Sequence, residues 1–378
     1  MDDCFKILDE SYARANKHLE KPFIADAGMQ AKIEAVALCL KNRAGVRALL
    51  AGLLAKLHTP SVDIRKPFMD ITGQTGDDNY SGRYYDERHI QRLVEKPYSL
   101  PINATTAFLT PGFRTKNVVL TTEVQLGGRP AEMYEALLKI FEDIQRERVT
   151  ARSAMDETFR LLVIERDQRR AAIQNLVRDI RRATDHLPLS AEATVALIGQ
   201  HMACKYSSRI PVFVVAAAYR AAERQLGQTV RKLNPHNAAD KQTGAFGDIE
   251  VTIAGADGVT TAYEMKMKAV TIGDVNLALQ KLANGGTSIR NYIFITTEPI
   301  LQEARPYAAT LYEELGGVEM AILDCLGFLR YFLHLFHALR TEFLEAYQDL
   351  LLAEPESAVS HALKEAFLTL RKTAEGAQ

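Results

Sequence analysis

The chain has 378 residues, of which 47% are hydrophobic and 25% charged, with a formal net charge of −1. This leaves room for two or three structural units and excludes a global basic field, so a nucleic-acid partner has to be held by local basic patches. Four separated cysteines (Cys4, Cys39, Cys204, Cys325) exclude a zinc ribbon or a disulfide framework and suit a reducing cytoplasm.

The opening MDDCFKILDE is acidic and lacks a signal-peptide pattern, and no run of about 18 apolar residues is present, so no membrane span is expected. Residues 1–60 show the three-to-four spacing of helices in FKILDESYARANKHL, MQAKIEAVALCLKN and GVRALLAGLLAKL. The character changes at Pro60. From 61 to 125 Gly, Pro, Asn, Thr and aromatics dominate, and only YDERHIQRLVE has a helical period. AEMYEALLKIFEDIQRERV restarts that period. ARSAMDETFRLLVIERDQRRAAIQNLVRDIRRATDH continues it with eight arginines between 152 and 182. A mixed, solvated face is the simpler reading of that run, and a phosphate-contacting helix the sharper one.

Beyond about 200 helices and strands alternate. PVFVVAAAYRAAERQLG reads as a helix closing at Gly227, IEVTIA and AYEMKMKAV as strands, and DVNLALQKLANGG as a helix with Asp274 as its N-cap. NYIFITT is a buried-type strand, PILQEARPYAATLYEEL a helix, VEMAILD a strand, and the remainder is mostly helical. The expected fold is a helix-rich, mixed α/β class. Residues 1–60 form an N-terminal helical region, 61–200 a loop and helix DNA-recognition region, 201–328 a core of mixed β-sheet flanked by helices, and 329–378 C-terminal helices.

The stretch GAFGDIEVTIAGADGVTTAYEMKMKAV concentrates the chemistry. On its second strand Tyr263, Met265 and Met267 share one face, expected to be core, while Glu264, Lys266 and Lys268 share the other. On the first strand Ile249, Val251 and Ile253 alternate with Asp248, Glu250 and Thr252. Opposed residues of an antiparallel hairpin have a constant sum of numbers. Asp248 joins the face of Glu264 and Lys266 only if that sum is even, 512 or 514, which needs an odd-length loop or a bulge at one of the glycines of AGADG. The two carboxylates then lie within roughly 5–8 Å. Two carboxylates with a backbone carbonyl beside them make a hard oxygen site for Mg²⁺, which generates hydroxide and stabilises charge on a phosphate. Lys266 is suited to hold the attacking water or a phosphate oxygen. The bland alternative is a solvated hairpin face with a Glu–Lys ladder.

The order helix, Asp-led strand, turn, ExK strand, helix, strand resembles the PD-(D/E)xK nucleases, with Gly247-Asp248 where that superfamily often has PD and Glu264-Met265-Lys266 as the tripeptide. Within the superfamily the chain is similar to the SacI restriction endonuclease family. DIRKPF, SGRYYDERHI and LPINATTAFLTPGFRTK look like that family's block of Tyr-Asp-Glu/Asp-Arg followed by Pro-Ile-Asn and an aromatic-rich segment ending in Arg. The likeness covers roughly residues 60 to 325. It implies a PD-(D/E)xK nuclease core with Asp248, Glu264 and Lys266 as catalytic residues and Asp248 and Glu264 as ligands of Mg²⁺. The implied activity is that of a type II restriction endonuclease that cleaves specific double-stranded DNA. A homodimer is expected because palindromic sites match two-fold symmetry. Two alternatives stay open: a nuclease aimed at modified or foreign DNA in a defence system, and a non-catalytic DNA-binding or assembly protein with a degenerate hairpin.

Base readout needs planar donors on loops and helix ends. The 61–116 block offers Arg65, Lys66, Arg83, Tyr84, Arg88, His89, Asn103, Thr105, Thr106, Arg114 and Lys116, and no acid occurs from Pro97 to Thr122. Phe108 and Phe113 read as core plugs. Before the hairpin, Arg231, Lys232, His236 and Lys241 suit a phosphate-gripping loop. The candidate DNA contacts are therefore Arg83, Arg88, Asn103, Arg114, Lys116, Arg231, Lys232 and Lys241. Gln280 and Lys281 stand where polar support of the site is expected, with Glu250 and Lys268 either assisting it or at its rim and Glu223 as an outlying ligand. His334 and His337 are expected to be buried or at an interface rather than on a metal.

Overall fold

Ala44 to Ala55 are all buried, as a helix with apolar residues on every side must be. This helix, α3 (Ala44–His58), is the centre of the first of two units into which contacts divide the chain, Met1–Ala171 and Ala172–Gln378. The computed structural model describes residues 3–68, 77–114, 116–182, 187–233, 245–255, 258–285 and 289–376. Around α3 lie α1 (Asp3–Lys17), α2 (Ala27–Ala37), α4 (Gly82–Arg88), α5 (Ala131–Gln145) and the first part of α6 (Ala151–Arg182), and their apolar faces form one core. The contact division thus falls inside α6 rather than near residue 200.

The helical period of YDERHIQRLVE is interrupted. Ser81 caps α4 by accepting from the Tyr84 N–H, α4 ends at Arg88, and a 3₁₀ turn, Ile90–Val94, follows His89. Phe113 is buried and Phe108 packs against the same core, as read from the sequence.

The arginines of α6 divide into two sets. Arg160 pairs with Glu157 and donates to the Leu19 carbonyl, and Arg166 is buried, donating to the Tyr12 hydroxyl and the Tyr98 carbonyl. Arg169 shares Glu165 with Arg43. Arg170, Arg178 and Arg181 are exposed.

The second unit holds α7 (Ala191–Met202), α8 (Ile210–Ala221), α9 (Glu223–Leu226), β1 (Gln228–Val230), β2 (Ile249–Ile253), β3 (Val259–Lys266) and α10 (Ile272–Gly285). It continues with β4 (Asn291–Thr296), α11 (Ala304–Glu314), β5 (Glu319–Asp324), α12 (Cys325–Leu335), α13 (Arg340–Ala353) and α14 (His361–Gly376). The strands form a mixed five-stranded sheet in the order β1-β2-β3-β4-β5. The first two pairings are antiparallel and the last two parallel, with α10 and α11 as the crossovers. Two crossovers of the same hand place both helices on one face. There Ala262, Tyr292, Phe294, Met320 and Ile322 meet Val275, Ala278, Ala304 and Ala308. On the opposite face Ile249, Val251, Tyr263 and Ile295 meet α7, α8 and the C-terminal helices α12–α14. Covered on both sides, β4 is a nearly continuous apolar run.

Gly227 ends α9 in the left-handed region, φ +62°, as its place in the sequence implied. Neither α7 nor β1 has a clear signal in the sequence. Ser190 caps α7, and β1 is a three-residue strand, too short to display alternation. His334 and His337 are not buried: both are exposed, and His334 Nε2 lies 3.3 Å from Glu192 at the surface. No helix among the described residues is long and apolar enough to cross a membrane.

Candidate active site

β2 and β3 pair with Ile249 opposite Tyr263, Glu250 opposite Ala262 and Val251 opposite Thr261, an even sum of 512. Continued by one step, this register sets Asp248 opposite Glu264, on the face that also carries Lys266. Nearer the turn the pairing changes to Thr252 opposite Val259, so Thr260 is an extra residue in β3. Without that bulge the sum would be odd and Asp248 would project from the other face. The bulge falls on a β-branched residue and not on a glycine. Thr260 suits it because its hydroxyl donates to the Val251 carbonyl at 3.2 Å while its own carbonyl accepts from the Arg290 N–H at 2.8 Å.

Around Glu264 on this face stand three amines, Lys266, Lys268 and Lys281, and two further carboxylates, Asp248 and Asp274. Glu264, whose side chain is 14% exposed, has Lys266 Nζ 3.1 Å from Oε1 and Lys281 Nζ 3.2 Å from Oε2. The hydroxyl of the fully buried Tyr292 lies 3.3 Å from Glu264 Oε2 and 3.1 Å from the Phe246 carbonyl oxygen. Both are acceptors, so one phenolic proton serves the two, and Tyr292 ties the segment that leads into Asp248 to the Glu264 carboxylate. Asp248 is exposed, and its Oδ2 accepts from the Met265 N–H at 2.7 Å.

Gly247 lies where the two strands approach most closely. A Cβ there would stand 2.5 Å from the Tyr263 carbonyl oxygen, closer than real Cβ contacts come, so only glycine lets the two backbones meet.

The third carboxylate, Asp274, is not the N-cap of α10. The helix begins at Ile272, and Thr271 with Asp274 forms a capping box. Asp274 Oδ2 accepts from the Thr271 N–H at 3.0 Å and hydroxyl at 2.7 Å, while Thr271 Oγ1 accepts from the Asp274 N–H at 3.2 Å. Oδ1 remains, 3.6 Å from Lys266 Nζ and 3.5 Å from Lys268 Nζ. Burial works to raise the Asp274 carboxyl, but the Thr271 hydrogen bonds and the two ammonium charges outweigh it and hold the group below the ordinary carboxylate range.

Support of Glu264 comes from Lys281, while Gln280 is exposed. Glu250 accepts from the Phe246 N–H at 2.9 Å and lies 3.3 Å from Arg231, and Glu223 accepts from the Thr229 hydroxyl. Met267 is largely exposed rather than core, because β3 ends at Lys266.

Of the candidate DNA contacts in this unit, Arg231 and Lys232 are exposed just after β1, and the Arg231 N–H extends the strand pairing by donating to the Glu250 carbonyl at 2.8 Å. Lys241 and His236 lie outside the described residues. In the first unit Arg83, Arg88 and Arg114 are exposed, with Arg83 2.8 Å from Glu87. Lys116 is half-buried. Asn103 is half-buried; its amide donates to Thr105 Oγ1 at 3.2 Å and its carbonyl accepts from Arg47 at 2.6 Å.

Other polar residues of the 61–116 block are structural. Arg65 pairs with Asp63 and Glu142, Lys66 pairs with Asp78, and His89 is buried among the rings of Phe5, Tyr84 and Tyr85. Thr106 donates to Asp86.

No protein-family model matches this chain, and no curated protein matches it.

Proposed function

We propose that the second unit is a Mg²⁺-dependent endonuclease of the PD-(D/E)xK type, and that the protein cleaves specific double-stranded DNA in the manner of a type II restriction enzyme. The observation that carries this reading is the bulged register, which sets Asp248 opposite Glu264 with Lys266 on the same face of a mixed sheet. The donor set is oxygen only. Two carboxylates, Asp248 and Glu264, stand opposite each other in it, and among the described residues no group of three or more His, Cys, Asp or Glu side chains that could hold a metal occurs. Mg²⁺ tolerates such a set, because it keeps several waters and takes ligands from phosphates.

Asp248 and Glu264 would hold Mg²⁺, which would supply an activated water and charge stabilisation at a phosphate. The chain's own residues do the rest. Lys266 is a donor-only group, placed to hold the attacking water or a non-bridging phosphate oxygen. Lys281 and Tyr292 fix the Glu264 carboxylate, and Gly247 fixes the backbone that carries Asp248. In the first unit the exposed arginines, and separately in the second Arg231 and Lys232, are candidates for the local positive charge that a chain of net charge −1 lacks globally. A homodimer fits a two-fold symmetric target.

The test is incubation of supercoiled plasmid with purified protein. Mg²⁺ or Mn²⁺ should give discrete linear fragments, Ca²⁺ should give a bound, uncleaved complex, and EDTA should leave the DNA intact. Equal cleavage in Mg²⁺ and EDTA would overturn the metal assignment, and plasmid left intact under every metal would overturn the nuclease reading.

A further inference from the structure

We infer that Asp274 is the positioning residue for the Lys266 amine: an acid on α10, locked by a capping box, that anchors the ammonium independently of Glu264. This rests on the proposed reading of Glu264 and Lys266 as site residues. One oxygen of Asp274 accepts two hydrogen bonds from Thr271, and the Asp274 N–H returns a third to the Thr271 hydroxyl, so its rotamer is set by the start of the helix. The side chain is 6% exposed and cannot swing out to water. Its second oxygen is thereby directed at Lys266 and Lys268, 3.6 and 3.5 Å away.

Lys266 accordingly spans two carboxylates, Glu264 at 3.1 Å and Asp274 at 3.6 Å. Their circumstances differ. Glu264 is the acid that must turn its oxygens to a cation and its water shell, whereas Asp274 has no such task. When Glu264 is recruited, Asp274 retains the ammonium on the site face. Without it, the amine is left to follow Glu264 and to compete for the oxygens the cation needs. Lys268, 68% exposed, shares the anchor but stands one pleat further out. A capping box thus does two things at once: it starts a crossover helix and it sets the position of a charge on the neighbouring strand.

The variant Asp274→Asn separates these roles, because the amide oxygen still accepts from Thr271 while the charge that holds the lysines is gone. Two readouts are needed. The first is the rate of lysine acetylation in the folded protein, followed residue by residue by mass spectrometry. Lys266 should label several-fold faster in Asp274→Asn, and Lys281, which touches Glu264 but not Asp274, should be unchanged. Asp274→Glu, which restores the charge, should recover part of the protection. The second is plasmid cleavage over a Mg²⁺ titration. It should fall roughly 10- to 100-fold in Asp274→Asn, the range seen when the support of a site residue is removed, with DNA affinity in Ca²⁺ changed less than about threefold. Unchanged Lys266 labelling in both variants would overturn the anchor, and so would full cleavage by Asp274→Asn in an active protein. A wild-type protein that cleaves no DNA, yet shows the labelling response, would remove the nuclease reading and leave the anchor standing.

Discussion

Each unit contains a cluster of acids and bases that its surroundings treat differently. In the first, Arg47 projects from α3 into the core, fully buried with Asp86 of α4, 2.5 Å away. Arg47 also donates to Gln91 Oε1 and the Asn103 carbonyl, while Asp86 Oδ2 accepts from the Thr106 hydroxyl and the Ala107 N–H. Each side chain is satisfied by fixed groups, and together they join α3, α4 and the chain beyond Asn103. In the second unit Glu264, Lys266 and Lys281 are partly exposed, and Asp248 is open to solvent. Charge is paired there by a choice among partners rather than by a single one. An enclosed, fully satisfied pair can only hold structure, because changing its partners would strand a charge in the core. An accessible cluster with interchangeable partners can admit a cation or a phosphate. Burial and the number of available partners, more than the presence of charges, separate the two.

The largest effect expected from breaking the comparison is at the open cluster. Asp248→Asn, Glu264→Gln and Lys266→Ala should each lower cleavage by roughly 10³-fold or more, the scale of several kcal/mol of transition-state stabilisation. DNA affinity, measured by fluorescence anisotropy in Ca²⁺, should be largely retained, and thermal melting should move little because these side chains are not core. Lys268→Ala should lose much less; if Lys268 proves the essential amine, the assignment of Lys266 fails.

Next comes the closed pair. Arg47→Leu leaves Asp86 charged and buried, and should cost about 3–5 kcal/mol in urea unfolding. The double variant Arg47→Leu with Asp86→Leu removes both charges and should recover part of that loss. A single variant as stable as the parent would show that the pair holds nothing.

Much of the β2–β3 hairpin is legible because period-two alternation states which side chains share a face. An even register is legible once the acids are required to meet, through either an odd-length loop or a bulge at a glycine. Thr260 takes it instead, its hydroxyl closing a hydrogen bond that no composition rule announces. The capping box was legible in principle, since Thr271-Ile272-Gly273-Asp274 has the Thr-x-x-acid signature, yet the acid was read as the cap itself. Arg47 was not legible. Within GVRALLAGLLAKL it looks like the polar side of an amphipathic helix, and only the tertiary partner Asp86 permits its burial. The exposure of His334 and His337 was equally hidden, because which side of an apolar helix faces solvent depends on what packs against the other.

The smallest of the three effects concerns a buried group in neither cluster. His201 is buried with Nδ1 2.7 Å from the Tyr347 hydroxyl and Nε2 2.9 Å from the Leu363 carbonyl oxygen. A carbonyl only accepts, so Nε2 bears the proton and Nδ1 accepts from Tyr347. Burial pulls this imidazole from 6.5 down to about 4, against the opposing Leu363 hydrogen bond. The native state favours the neutral ring, so its contribution is intact above 6.5. Between 6.5 and 4 the unfolded chain takes up a proton that the native one refuses, and stability falls by about 3 kcal/mol. Urea unfolding at pH 7 and pH 4 should show the drop, and His201→Gln should flatten it; an equal drop in that variant would assign the effect elsewhere.

The close approach at Gly247 makes the hairpin a gauge of fixed width. With a backbone carbonyl where a side chain would start, the strands are already at their limit of approach, and Asp248, hydrogen-bonded to the Met265 N–H, is pinned from the other side. The spacing of the two acids is then a property of the main chain, and only side-chain rotation can adapt it. An ion between the acids would meet a frame that cannot narrow and whose widening the Asp248 hydrogen bond opposes, so its fit would rest on side-chain rotation rather than on movement of the strands.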